Sequence, residues 1–191
     1  LDMPGKKLKP ERYLRNWRRI MDGILWFVKS HITDEPCVIV NGYKMYLHKH
    51  DNGISKELAI YRIHEPVNTS HYDYIVQPGM CVVDIGSNLG YYVLIASKIV
   101  GKRGQVIAIE PQDENQGMLR KNIIRNGCND NVKCIRYAIG DKNEDKKFYL
   151  SKRSNLHSMI KPFGYKGYTV VKMKTLDTLL DELNIEHVDL V

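Results

Sequence analysis

A chain of 191 residues, 43% hydrophobic and 27% charged, has an ordinary globular composition and is long enough for one domain, or one domain with an extension. No apolar run approaches the ~20 residues a membrane span needs, and no secretory signal pattern opens the sequence. The net charge of +7 raises nucleic acid or an anionic surface as a partner, but residues 1–30 hold eight Lys/Arg against three acids and so carry five of those seven charges. A basic N-terminal arm is therefore expected, and a basic catalytic domain is not.

Lys6 to Pro10 reads as a basic lead-in. From Tyr13 to Lys29, the apolar residues Tyr13, Trp17, Ile20, Met21, Ile24 and Val28 recur at helical spacing. Such a helix either packs on the domain and covers its cleft or, with Arg15, Arg18 and Arg19 among its aromatics, lies on a membrane surface or a partner. Cys37–Val40 and Tyr43–Leu47, joined by Asn41-Gly42, predict a hairpin, because Asn-Gly suits a type I′ turn. Short helices are expected over 57–63 and 72–76.

From residue 81 onward, apolar strands alternate with helices. Strands are predicted at 81–85, 105–109 and 132–137, and helices at 88–100 and 113–126, each closed by a glycine. Buried, β-branched strands in that alternation predict an α/β, Rossmann-like doubly wound fold. Its mostly parallel sheet carries helices on both faces, next to the N-terminal helix and hairpin. Strands at 146–150 and 169–174 flank a polar loop, Thr175 caps a helix over 176–183, and another strand begins at His187. The organisation expected is a basic extension over 1–56 and a cofactor-binding domain over 57–191. A doubly wound sheet rarely ends in mid-strand, so a piece of a longer protein is expected. Cys37, Cys81, Cys128 and Cys134 form no C-x-x-C pair and no zinc pattern, which fits a reduced, cytoplasmic setting and predicts no metal site.

The chemistry concentrates in Val82-Val83-Asp84-Ile85-Gly86-Ser87-Asn88-Leu89-Gly90. Glycines at a strand-to-helix turn let a ligand approach the backbone. A dinucleotide fingerprint would need Gly at 86, 88 and 91, but Asn88 and Tyr91 stand at the last two, and no Gly-Lys-Ser/Thr phosphate loop occurs. Asp84 at the strand end would repel a pyrophosphate and attract a sulfonium or ammonium group. Glu110, at the end of the next strand, can accept from two ribose hydroxyls at once. Together these residues favour S-adenosylmethionine.

The motifs Asp84–Gly90, Ala108-Ile109-Glu110-Pro111, Leu119–Asn122, Asn126-Gly127, Ala138–Asp141 and Thr175-Leu176-Asp177 fall in an order that resembles the FkbM-type methyltransferases. The resemblance covers about 57–191. It implies an S-adenosylmethionine-dependent enzyme that mainly methylates hydroxyls of sugars or other small molecules. By position, Asp84, Gly86, Asn88 and Gly90 would surround the methionine part of the cofactor and Glu110 the ribose. Ala138–Asp141 would lie by the adenine, although Asp141 equally suits a hairpin. Glu65 matches an acidic position that would shape the methionine end. His48, His50, His64, His71 and His157 are candidates for a general base, with no reason to choose among them, and Tyr91 or Tyr92 could line the transfer site. An RNA methyltransferase using the basic arm, or a non-catalytic binding module, are the competing readings; the Asn/Asp-Pro-Pro-Tyr/Phe motif of many nucleic-acid enzymes is absent.

Overall fold

Strands β3 (Cys81–Ile85), β4 (Gln105–Ile109) and β5 (Val132–Ile135) pair in parallel, in that order, with Asp84 opposite Ala108 and Ile85 opposite Ile109. The computed structural model describes residues 10–151 and 153–191, so the lead-in expected at Lys6–Lys9 lies outside the described residues. Alternate side chains leave the sheet on opposite faces, as strand geometry requires. Val82, Val106 and Ala108 join one buried cluster with α4 (Tyr91–Val100) and α5 (Asp113–Arg125). Val83, Ile107 and Ile109 join a second cluster with α6 (Leu176–Glu182). Helices on both faces of a parallel core bear out the predicted fold class.

The first cluster also takes in Trp26 of α1 (Pro10–Ile32), the hairpin β1 (Cys37–Val40) and β2 (Tyr43–Tyr46), and Leu58 of α2 (Ile54–Tyr61). The N-terminal elements thus share a core with α4 and α5. The hairpin turns where expected, with Asn41 at φ 46° and Gly42 at φ 84°.

After β5 the chain makes a smaller sheet, in which β8 (Gly167–Lys174) lies between β6 (Ala138–Ile139) and β7 (Glu144–Leu150). It then passes through α6 and returns on the far side of β3, where Val83 N donates to Leu190 O at 2.8 Å and Asp189 N to Cys81 O at 2.9 Å. Connections from β3 therefore depart in one direction and arrive from the other. That crevice, outside the carboxyl ends of the strands, is where open α/β sheets bind ligands.

The strand expected over 132–137 ends at Ile135, and the one expected from His187 makes only a single bridge, Val82 to Leu190. Among the helix boundaries that differ from expectation, three have a plain local reason. The helix expected from 88 begins at Tyr91, because Asn88 (φ 48°) and Gly90 (φ 90°) hold left-handed backbone through the turn. The helix expected over 57–63 spans 54–61 and is stopped by left-handed Arg62 (φ 60°). The one expected over 72–76 is α3 (Pro66–Ile75), started by Pro66, whose missing N–H costs nothing in a first turn.

Candidate functional site

The turn after β3 is fastened to the end of β4: Gly86 N (2.8 Å) and Ser87 N (3.0 Å) both donate to Ile109 O, and Gly90 N donates to Ser87 O (2.8 Å). Ser87 Oγ closes it by donating to Asp84 O at 2.9 Å. The turn opens onto a cavity of about 410 Å³ at the carboxyl ends of β3 and β4. Asp84, Gly86, Asn88 and Glu110 line it together, along with Tyr91 and Tyr92 from the start of α4. Of the cofactor residues singled out in the sequence, Gly90 and Asp141 do not. Gly90 is a packing position: a Cβ there would come within 2.5 Å of Leu119 Cδ1, a side chain with no exposed surface. Asp141 is exposed beyond β6, and the wall on that side is made by Tyr137, Ala138 and Ile139.

The two acids occupy different surroundings. Burial, and secondarily the charge of Glu110, push the Asp84 carboxyl up to about 6. Glu110 is buried and also raised by desolvation, but it accepts from Asn88 N (2.9 Å) and Gln112 N (3.0 Å), with the Asn115 amide at 3.4 Å. Left-handed Asn88 delivers its N–H to Glu110 and turns its side chain inward, where its Oδ1 is buried with no partner among the described residues. An unpaired buried acceptor beside two carboxylates calls for a ligand carrying N–H or O–H groups. A side chain at Gly86 (φ 80°) would meet no protein atom within 4 Å, so the space beside the turn is open. These features fit the cationic amino-acid end and the ribose of S-adenosylmethionine.

Several lining groups were not evident from the sequence as a set. His64 Nδ1 lies 2.9 Å from Glu57 Oε1, and its ring meets Tyr91 and Tyr92 edge-on. Thr69 Oγ1 donates to His64 O (2.6 Å) and so accepts from the Tyr91 hydroxyl (3.1 Å); Tyr92 donates to Glu65 Oε2 (3.1 Å). Of the candidate bases, His64 and His157 reach this cavity, His48 and His50 line an adjoining one of about 450 Å³, and His71 is exposed on α3. His157 Nδ1 accepts from Ser151 N at 3.0 Å, which leaves the ring proton to Nε2 in the neutral form; burial pulls its pKa down. His48 Nε2 lies 3.1 Å from Asn115 Oδ1, an acceptor only, so Nε2 is the protonated nitrogen. Among the described residues, no cluster of His, Cys, Asp or Glu could hold a metal ion.

Asp51 anchors the far wall. Burial raises its carboxyl, but four donors reverse that and hold it below the usual carboxylate range: Gly53 N (2.8 Å), Ser55 N (2.9 Å), Ser154 N (3.0 Å) and Ser154 Oγ (2.8 Å). Ser154, Asn155 and His157 of the β7–β8 connection are thereby tied to the start of α2. Asp51→Ala is expected to speed hydrogen exchange at the Ser154 amide by about 10- to 100-fold, the loss of two charge-assisted bonds. Because the folded pKa is depressed, wild type should hold this wall above about pH 4 and lose it as pH falls further. An unchanged exchange rate in the variant would show that the loop is held by something else.

A family model described as the methyltransferase FkbM domain matches residues 84–191. Similar solved structures include a SAM-dependent methyltransferase from Aquifex aeolicus (28% identity, 42% of this chain and 40% of that one, TM-score 0.34). Others are a SAM-dependent O-methyltransferase from Thermotoga maritima (20%, 44% and 32%, 0.39) and TYW2 from M. jannaschii in complex with AdoMet (23%, 54% and 43%, 0.44). The chain spans less than half the length of each of these. With the model covering more than half of the sequence, the chain belongs to the FkbM methyltransferase domain family.

Proposed function

We propose that this protein is an S-adenosylmethionine-dependent methyltransferase that methylates a hydroxyl of a sugar or another small molecule. The observation that carries the reading is the convergence of Asp84, Glu110 and the unpaired Asn88 Oδ1 on one cavity at the sheet's crossover point. Asp84 and Asn88 would take the ammonium and sulfonium end of the cofactor. A carboxylate offers about four acceptor positions, and Glu110 commits two of them at 3.0 Å or less, so a ribose diol has room to bind by displacing only the long Asn115 contact. Ala138 and Ile139 would give the adenine an apolar wall.

When bound, the cofactor supplies an electrophilic methyl group for in-line displacement by the acceptor oxygen. The chain's own contribution is alignment and proton removal. A second cavity reaching Asp84, of about 360 Å³, is lined by Glu65, Asn68, Tyr72 and Tyr92 on one side and by the aliphatic Val82, Val83, Ile85, Leu190 and Val191 on the other; its aromatic and hydrogen-bonding side would take a hydroxylated acceptor. His64, on the wall of the cofactor cavity with Glu57 Oε1 2.9 Å from one ring nitrogen and Glu65 Oε2 3.8 Å from the other, would receive the proton of an acceptor hydroxyl that reaches the methyl group from there.

Calorimetric titration of the chain with S-adenosylmethionine, S-adenosylhomocysteine, NAD and ATP tests the first half of the reading. The two sulfur nucleosides should bind and raise the unfolding midpoint, with about 2.7 kcal/mol of stabilisation at a hundredfold excess over Kd. Tighter binding of NAD or ATP would overturn the assignment. Methyl transfer from labelled cofactor to a panel of glycosides, small alcohols and RNA then tests the acceptor class, and label in RNA alone would overturn the second half.

A further inference from the structure

Helix α1 is turned the wrong way round for a helix that serves only its own domain. Packing against the protein comes from its polar side: Asp22 accepts from Arg62 Nη2 (2.8 Å), the Arg19 guanidinium lies over the Tyr61 ring (5.1 Å), Lys29 donates to Cys37 O (3.2 Å), and Trp26 alone is a large apolar residue buried there. The opposite side carries Trp17, Ile20, Met21, Ile24, Leu25, Phe27, Val28 and Ile32, all exposed, with Ile24 at 53%, Trp17 at 62% and Phe27 at 63%. At 100° per residue these eight fall within about 160° of the helix circumference, centred opposite Trp26. An apolar stripe of this size, interrupted by the exposed His31 beside the Phe27 ring, marks an interaction surface.

Charge says what covers it. Arg18, exposed, borders the stripe, and the sequence before Trp17 contains Lys6, Lys7, Lys9, Arg12 and Arg15. The first 30 residues carry a net +5 while the remainder carries +2. An apolar face edged by cations, on a helix not long and apolar enough to cross a bilayer, is the design of an interfacial helix on anionic lipid. The helix also lies on the α2 and hairpin side of the sheet, opposite α6, so lying on a surface by this stripe leaves the cofactor crevice accessible.

We infer that α1 docks the protein on an anionic membrane surface, with its Trp17–Ile32 stripe in the headgroup–acyl boundary and the flanking Lys and Arg residues on lipid phosphates. The inference is independent of the enzymatic reading. Its test uses the 191-residue chain with vesicles of phosphatidylcholine alone and with about a quarter phosphatidylserine. Co-sedimentation should be at least about tenfold stronger on the anionic vesicles and fall with salt. Trp17 supplies a second readout: its emission should shift to the blue on binding, and Trp17→Phe should remove the shift, since Trp26 is already buried. Ile24→Glu with Phe27→Glu should abolish both signals while leaving the thermal unfolding midpoint in place, because neither side chain is packed in the core. Vesicle binding that survives the double variant would overturn the inference. So would a dimer in sedimentation velocity that the double variant dissolves, which would make a second copy the occupant, or preferential salt-sensitive binding to RNA.

Discussion

Asp84→Asn is expected to weaken S-adenosylmethionine binding by about 10- to 100-fold near pH 7, while making the cofactor-free protein more stable. Both effects come from one cause. Burial and the neighbouring Glu110 raise the Asp84 carboxyl to about 6, so near pH 7 the folded state holds an ionised group that its surroundings disfavour. A cation in the cavity removes that penalty, and Asn at 84 removes it without one. The sign is fixed by linkage. With the folded pKa above the unfolded value near 4, the cofactor-free wild type loses stability as pH rises from about 4 through 6, by at most about 3 kcal/mol. The variant should lack this decline. Binding runs in the other direction: below pH 6 the wild-type carboxyl must give up a proton to meet a cation, so affinity should fall by up to about tenfold per pH unit. Calorimetry from pH 5 to 8, paired with urea unfolding without cofactor, reads both curves. Wild-type affinity that is the same at pH 5 and pH 7 would remove Asp84 from the cation site.

The parts of this molecule that could be read from sequence are those where local chemistry leaves one choice. Asn41-Gly42 allows both left-handed angles of a tight hairpin, and Asp84 to Gly90 combines a strand end, a glycine turn and the failure of the dinucleotide spacing. Glu110 followed because an acid at the end of the neighbouring strand must face the same crevice. What sequence could not supply is direction. The apolar period of α1 was plain, yet periodicity is silent about which face meets the protein, and the stripe points outward. Gly90 was grouped with the ligand-facing glycines, because only the position of Leu119 reveals it as a packing contact. Asp51 was passed over entirely. Its partner Ser154 is 103 residues away, and neither lies in a motif, so only the folded chain brings four donors to one carboxylate.

Asn122→Ala should be among the most destabilising single substitutions in the chain, at about 3–5 kcal/mol, because of another contact that sequence leaves invisible. Asn122, fully buried in the last turn of α5, accepts from Tyr46 N at 2.6 Å and donates to Tyr46 O at 3.1 Å. Its amide thus does for the free edge of β2 what a neighbouring strand would do. One helical turn on, Asn126 repeats the exchange with Lys44 N (3.0 Å) and Lys44 O (2.8 Å). The match is geometric: four residues of helix rise about 6 Å, and two residues of strand about 6.7 Å, so a helix can present a two-rung ladder to a strand edge. Asn122 alone also donates to Leu89 O (2.8 Å), inside the turn that shapes the cofactor cavity. Alanine there leaves the buried Leu89 O and the half-buried Tyr46 N and O without this partner, whereas Asn126→Ala, at an exposed rung, should cost only about 1 kcal/mol. Asn122→Asp separates the roles, since a carboxylate can still accept from Tyr46 N but faces two carbonyls it cannot serve; it should be no less damaging than alanine. Urea midpoints rank the three variants, and the cofactor affinity of Asn122→Ala, measured where it remains folded, should fall with the loss of the Leu89 tether. Equal midpoints for the Asn122 and Asn126 alanine variants would mean that the hairpin is held by its apolar side chains and not by this ladder.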